Sequence, residues 1–153
     1  MEQKETKLEI VNELLKNEGH IRDIARKLDT NHTLILRKMG ELSKENAVDF
    51  REEGRNKVYF LKKSIEAKRC AFMAEDYKLM KLLKKYPDLR GMIENVQKNK
   101  DIRLVVLFGS YAKGIAKKDS DIDVYADTRD VKIKQEIERM DTRLNVKIGE
   151  YDP

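Results

Sequence analysis

Cysteine, tryptophan and proline are scarce in this sequence of 153 residues, which contains one cysteine, no tryptophan and two prolines. The single cysteine, Cys70, cannot form an internal disulfide, and two histidines are too few for a His/Cys zinc site. No stretch approaches the ~20 apolar residues that a membrane-spanning helix needs. The N-terminal sequence MEQKETKLEI lacks the apolar centre of a signal peptide. We therefore expect a cytoplasmic protein with no membrane partner.

Charged residues, in contrast, are abundant: 33 Lys and Arg stand against 28 Asp and Glu, a net charge of +5. The positive excess lies in residues 63–100, which contain 10 basic and 5 acidic side chains. Residues 1–62 are close to neutral, with 13 basic and 12 acidic side chains. Charge that is spread along a segment in this way favours a solvated helix face over a nucleic-acid surface.

The first 62 residues contain three helical patterns and then two alternating runs. Apolar residues recur at helical spacing in KLEIVNELLKNEG, HIRDIARKLD and TNHTLILRKMGELSKEN. Thr30 or Asn31 is suited to cap the third helix. The runs AVDF and KVYFL, joined by the charged, glycine-bearing REEGRN, indicate a β-hairpin. Three short helices followed by a hairpin resemble the winged helix-turn-helix domains of prokaryotic regulators, over roughly residues 5–62.

The winged-helix resemblance implies a contact surface for double-stranded DNA. The third helix would enter the major groove, and the wing would meet phosphates. The implied residues are His32, Thr33 and Arg37 in the helix, and Arg51, Arg55 and Lys57 in the wing. The alternative is that the same three-helix core serves only for protein docking or dimerisation. The near-neutral charge of residues 1–62 weakens the DNA interpretation, because phosphate contacts supply most non-specific affinity.

Residues 63–86 are predicted to form one long amphipathic helix that ends before Pro87, a residue that cannot continue a helix. We interpret this helix as the connector between two domains. Its methionines and aromatic residues are typical of core packing or of a homodimer seam. The sequence DLRGMIENVQKN predicts a further helix, which opens a second domain at residues 87–153.

The candidate chemistry lies within IRLVVLFGSYAKGIAKKDSDIDVYAD. The apolar run 102–108 predicts a strand buried on both faces. It leads into Gly109 and Ser110, where a phosphate can approach the main chain closely. In the next predicted strand, alternation places Asp121 and Asp123 on the face away from the core, about 7 Å apart between Cα atoms. Two such carboxylates repel, so we expect a divalent cation between them, and Mg²⁺ that also binds substrate phosphates suits these ligands.

An apolar strand, Gly-Ser, a second glycine and Asp-x-Asp form an array that resembles nucleotidyltransferases of the DNA polymerase beta type, in particular their minimal prokaryotic branch. The resemblance covers about residues 88–150. It implies transfer of a nucleoside monophosphate from an NTP, expected to be ATP, to a hydroxyl, with release of pyrophosphate. Asp121 and Asp123 would be the catalytic residues and the ligands of two Mg²⁺ ions, with Mn²⁺ as the alternative cation. The implied nucleotide-binding residues are Gly109, Ser110, Lys113, Gly114 and Ser120.

One position departs from this family pattern. Members usually have a third carboxylate on a later strand, and in RLNVKIG the aligned residue is Asn145. An amide brings no charge. Glu150 or Asp152 would substitute for the third acid if the register differed. The family also commonly has another helix after this strand, so we expect the sequence to be a piece of a longer protein.

We therefore predict a mixed α+β protein: an N-terminal winged helix-turn-helix domain, a connecting helix, and a small C-terminal nucleotidyltransferase α/β domain with a short mixed sheet. The leading hypothesis is a Mg²⁺-dependent nucleotidyltransferase coupled to a winged helix that binds DNA or protein. Two alternatives stay open: a catalytically weak or inactive nucleotide-sensing, DNA-binding transcriptional regulator, and an antitoxin-like protein that modifies a partner toxin. The sequence does not specify the acceptor, and a protein tyrosine or serine, an RNA end and a small antibiotic all fit.

Overall fold

The computed structural model of the chain describes residues 2–149, with side chains described from Glu5 onward. Glu150 and Asp152, the substitutes considered for the third acid, lie outside the described residues. The chain divides into two compact units, one up to Leu79 and one from Met80 onward. Among residues 2–149, no helix combines the length and the apolar character that crossing a membrane requires.

The first unit has the order of elements expected of a winged helix. The elements are α1 (Glu2–Lys16), α2 (Ile21–Lys27), α3 (His32–Lys44), β1 (Val48–Glu53), β2 (Asn56–Leu61) and the first part of α4 (Ile65–Lys85). Strands β1 and β2 pair antiparallel and form the wing, with Glu53 opposite Asn56 at its tip. The Asn31 side chain caps α3 by accepting a hydrogen bond of 2.8 Å from the Leu34 amide.

The core of this unit follows the helical periodicity of the sequence. Three helices and the hairpin contribute apolar side chains that are almost fully buried, among them Ile10, Ile24, Ile35, Met39 and Val48. Ala67 and Ala74, on one side of α4, belong to the same cluster. The helix α4 covers most of the segment predicted as a connector, and the division between the two units falls inside it.

The second unit is a three-stranded mixed sheet with short helices. A 3₁₀ turn at Pro87–Leu89 is followed by α5 (Arg90–Lys98), β3 (Val105–Leu107), α6 (Gly109–Ala112), β4 (Ile122–Asp127), α7 (Val131–Glu138) and β5 (Leu144–Gly149). The strand order is β3-β4-β5, in which β3 and β4 are antiparallel and β4 and β5 are parallel. The α+β class and the short mixed sheet are therefore confirmed.

Alternation along β4 separates the core from the open face of this sheet. Ile122, Val124 and Ala126 are almost fully buried and pack with residues of α5 and α7. The prediction that residues 102–108 form a strand buried on both faces is wrong. Only Val105–Leu107 is a strand, and Val106 is exposed for nearly half of its surface. The reason is that β3 is an edge strand and the apolar cluster lies on one face of the sheet only.

Candidate active site

The turn after β3 brings the backbone of Gly109 against the side chain of Asp123. Gly109 has φ +71°, in the left-handed region that costs an L-residue with a Cβ about 1–2 kcal/mol. A Cβ at this position would lie 2.3 Å from Oδ2 of Asp123. The Phe108 amide also donates a hydrogen bond of 2.9 Å to the Asp123 carbonyl. Glycine is therefore needed here both for the backbone conformation and for the close approach of the carboxylate.

The two aspartates lie at the beginning of β4. Asp121 is exposed and immediately precedes the strand, whereas Asp123 is its second residue and is half-buried. Ile122, between them, is fully buried in the core. Because successive side chains point to opposite sides of a strand, both carboxylates lie on the open side of the sheet. Their placement is the one that the alternation of the sequence predicts.

Asn145 lies beside Asp123 on the neighbouring parallel strand. The two residues are register partners between β4 and β5, and the Asn145 Nδ2 donates a hydrogen bond of 2.9 Å to Oδ1 of Asp123. Residue 145 therefore shares the open face with the aspartates, where the family pattern has a third acid. The amide satisfies one carboxylate oxygen without adding negative charge.

The other residues predicted to bind nucleotide lie in α6 and in the loop between α6 and β4. Ser110 is half-buried in α6, and Lys113 is exposed at the end of that helix. Gly114 has φ +71°, so it too requires the left-handed conformation. The Ser120 hydroxyl accepts a hydrogen bond of 2.8 Å from the Lys117 amide, and in this way it closes the loop that leads into Asp121.

Arg143, which sequence reasoning missed, joins several segments around this loop. Its Nε and Nη2 donate to the two carboxylate oxygens of Asp141, at 3.0 and 2.8 Å. Its Nη1 lies 3.0 Å from Asp88 Oδ2 and 3.0 Å from the Tyr111 hydroxyl, and 3.4 Å from the Lys118 carbonyl. No local pattern signals this role, because three of the four partners lie 25 to 55 residues away.

The electrostatics of this cluster follow from these contacts. Hydrogen bonds from Arg143 hold the pKa of Asp141 below its usual range. The same bonds raise the pKa of Arg143, which therefore stays charged. Burial raises the pKa of the Tyr111 phenol, so it is a neutral hydroxyl at physiological pH. The cluster is thus a fixed ion pair with a neutral hydrogen-bond partner.

A pocket of about 470 Å³ opens beside Arg143. Its lining includes Tyr86 and Tyr111, whose rings meet edge to face with centroids 4.9 Å apart, and the loop residues Lys117 and Lys118. Asp121 and Asp123 do not line it. The pocket therefore lies next to the loop that leads to the aspartates, and its lining combines aromatic and cationic groups with the acidic Asp88 and Asp119.

In the first unit, all six residues of the predicted DNA surface are exposed. His32, Thr33 and Arg37 are exposed on α3, and Arg55 and Lys57 on the wing. The Lys57 Nζ lies 4.1 Å from the centroid of the Phe50 ring.

Arg51, the sixth predicted residue, is also exposed but is held by two carboxylates of its own unit, Glu18 and Glu53. Hydrogen bonding to Glu18, with a smaller contribution from Glu53, raises its pKa. Arg51 would therefore have to leave these carboxylates before it could contact a phosphate.

Residues 91–152 match the family "Polymerase beta, Nucleotidyltransferase". This match confirms the resemblance predicted from the Gly-Ser and Asp-x-Asp array, and we call the second unit the nucleotidyltransferase domain. No curated protein matches the chain.

Several solved structures of regulators are similar to the N-terminal part of the chain. The adhesin competence repressor AdcR of Streptococcus pyogenes is 17% identical, with a TM-score of 0.48, over 56% of this chain and 64% of AdcR. ZitR of Lactococcus lactis is 17% identical, with a TM-score of 0.45, over 55% of this chain and 57% of ZitR. The homodimeric winged helix-turn-helix DNA-binding domain of Mb0332 from Mycobacterium bovis is 19% identical, with a TM-score of 0.40, over 52% of this chain and 69% of that domain. The chain thus spans less than two thirds of the first two regulators.

Proposed function

We propose that the protein transfers a nucleoside monophosphate from ATP or another NTP to a hydroxyl acceptor, with release of pyrophosphate. The observation that carries this proposal is the close approach of the Asp123 carboxylate to the main chain of Gly109. The approach is so close that a Cβ at residue 109 would lie only 2.3 Å from Oδ2 of Asp123. A turn that can admit a phosphate thus lies directly against a carboxylate suited to a metal ion. The family match at residues 91–152 supports the same reaction class.

The donors at this site fit a hard divalent cation. Asp121 and Asp123 supply carboxylate oxygens, the ligand type that Mg²⁺ prefers. Among the described residues, no group of three or more His, Cys, Asp or Glu side chains is placed to hold a metal. The phosphates and water would therefore complete the ligand set, as is usual for Mg²⁺ with nucleotides. A cation bound here would lower the pKa of the acceptor hydroxyl and neutralise charge on the departing pyrophosphate.

The remaining residues of the domain would bind and orient the nucleotide. Gly109 keeps the main chain of the turn close to Asp123, so phosphates bound at that main chain would lie beside the carboxylate. The Ser110 hydroxyl would donate to a phosphate oxygen. Lys113 would add positive charge from the end of α6. Ser120 and Arg143 would hold the loop that positions Asp121, because both bond to backbone atoms of that loop.

A labelling experiment tests the proposal and searches for the acceptor. The purified protein is added with α-labelled ATP and Mg²⁺ to a lysate of the organism that encodes it. We expect one labelled protein or RNA band that disappears with Asp121→Ala. Asp119→Ala is the matched control, because Asp119 is an exposed acid two residues upstream and is not expected to bind the metal. Equal labelling by wild type and Asp121→Ala would contradict the proposal.

A second candidate function is a nucleotide-sensing regulator that binds duplex DNA and catalyses slowly or not at all. Asn145 favours this alternative, because a neutral amide stands beside Asp123 where the family has an acid. The exposed His32, Thr33 and Arg37 on α3 would supply base contacts. Retention of duplex DNA at low salt, together with ATP-dependent release and no label transfer, would support the regulator over the enzyme.

A further inference from the structure

One face of α4 presents apolar side chains to solvent. Ile65 is 79% exposed, Phe72 55%, Met73 44% and Met80 67%. With about 100° of rotation for each residue, these four side chains fall within an arc of about 100°. The opposite side of the helix is the one that packs, since Ala67 and Ala74 are buried. A row of exposed apolar side chains of this kind marks an interaction surface.

Two opposite charges interrupt the stripe. Arg69 and Asp76 lie within the same arc of α4, about two turns apart. Both are exposed, and neither forms an ion pair or a side-chain hydrogen bond with another residue that the structure describes. Their charges are therefore available to a partner.

The four apolar residues of the stripe and the two charged residues are spaced symmetrically along α4. If a second α4 runs in the opposite direction, apolar side chains therefore face apolar ones and each charge faces the opposite charge. The midpoint between Phe72 and Met73 is also the midpoint between Arg69 and Asp76 and between Ile65 and Met80. In a two-fold symmetric interface, residue i of one copy meets residue j of the other, and j meets i. We propose that α4 pairs antiparallel with α4 of a second copy of this chain, about a two-fold axis between Phe72 and Met73.

Charge selects the antiparallel arrangement and a second copy as the partner. In the antiparallel pair each Arg69 faces the other copy's Asp76, which gives two ion pairs for each dimer. A parallel two-fold pair would instead place Arg69 against Arg69 and Asp76 against Asp76, and both contacts are repulsive. The symmetric spacing of the stripe favours a second copy, because binding to an unrelated partner would not require such symmetry. The stripe is about 22 Å long, or four helical turns.

The oligomeric state of the full chain tests this inference, which does not depend on the proposed enzymatic function. Sedimentation velocity at micromolar concentration should give a dimer for the wild type. Phe72→Glu places a charge at the axis and should give a monomer. The control is Val131→Glu, because Val131 is similarly exposed, at 56%, but lies on α7. This variant should remain dimeric. Circular dichroism checks that each variant is folded.

A charge exchange tests the register of the pairing. Arg69→Asp alone and Asp76→Arg alone should each raise the dimer Kd about tenfold, because each variant places like charges opposite one another. The double variant with both substitutions should restore the wild-type Kd. A monomeric wild type would overturn the inference, as would a dimer that survives Phe72→Glu. Single variants that weaken the dimer without rescue by the double variant would overturn the antiparallel two-fold register.

Discussion

Replacing Gly109 by alanine should damage the nucleotidyltransferase domain in two separable ways. The first is backbone strain, because φ is +71° and a Cβ in this region costs about 1–2 kcal/mol. The second is displacement of Asp123. Its Oδ2 would lie 2.3 Å from the new Cβ, and reaching an ordinary contact of 3.4 Å requires a shift of 1.1 Å. That shift would break the 2.9 Å hydrogen bond between Asn145 and Asp123.

The expected magnitude follows from these two costs. A net hydrogen bond is worth about 0.5–1.5 kcal/mol, and the low end applies here because Asn145 is exposed. The sum is about 2 kcal/mol, which corresponds to roughly 8–16 °C in the Tm of a domain of this size. Catalysis should suffer more, because a misplacement of about 1 Å at a reacting centre costs about a hundredfold in rate.

Gly114→Ala is the matched control for backbone strain. Gly114 has the same φ of +71°, but the nearest atom to an added Cβ is Lys85 Nζ, at an ordinary 3.5 Å. Calorimetric unfolding should therefore show a smaller loss of Tm for Gly114→Ala. Titration of ATP with and without Mg²⁺ separates the variants further: only Gly109→Ala should lose the gain in ATP affinity that Mg²⁺ provides. Equal Tm values and an equal Mg²⁺-dependent gain in both variants would refute this reasoning.

Three further predictions concern other parts of the chain. Asn145→Asp should increase the rate of transfer with little change in the affinity for ATP, because the missing charge matters mainly in the transition state. For the same reason, Mn²⁺ should stimulate the wild type. Steady-state kinetics measure the rate, and calorimetry measures the affinity. Arg55→Ala should weaken binding to every duplex and reduce the slope of log K against log salt by about one, as measured by fluorescence anisotropy. Arg143→Gln should lower the Tm most above pH 4. Folding lowers the pKa of Asp141, so its ion pair with Arg143 stabilises the fold fully at a pH above the pKa of the unfolded state. This stabilisation is lost as the pH falls through the pKa of the folded state.

Each of these predictions has a contradicting outcome. If the wild type transfers rapidly and Asn145→Asp does not change its rate, the third carboxylate is a residue outside the described part of the chain. Absence of duplex binding at any salt concentration would assign the winged helix to protein docking. A Tm difference between wild type and Arg143→Gln that is the same at pH 2.5 and pH 7 would show that the Asp141 carboxylate contributes nothing through its charge.

Features set by local sequence were predictable. The hairpin of the wing, the cap at Asn31 and the alternation along β4 depend on neighbouring residues, and the structure has all three. The Gly-Ser turn and the Asp-x-Asp pair were predictable for the same reason. Asn145 was placed by its spacing within the family pattern, and the parallel register of β4 and β5 puts it beside Asp123.

Features set by distant partners were not predictable. The length and exposure of β3 depend on which face of the sheet the helices cover, and periodicity does not report this. The contacts of Arg143 with Asp88 and Tyr111 join residues that are 55 and 32 positions apart. Arg51 appeared free for phosphate in the sequence, yet Glu18, in the loop between α1 and α2, forms an ion pair with it. Such partners become visible only when the fold brings them together.

Paired labelling of ATP tests most directly whether Asp121 and Asp123 support transfer of a nucleoside monophosphate. The protein, Mg²⁺ and the lysate are incubated with ATP labelled either at the α-phosphate or at the γ-phosphate. We predict that the α-label is transferred to an acceptor and that the γ-label is released in pyrophosphate. We also predict that Asp123→Asn abolishes transfer of the α-label. Transfer of the γ-label alone, or α-labelling that survives Asp123→Asn, would contradict these predictions.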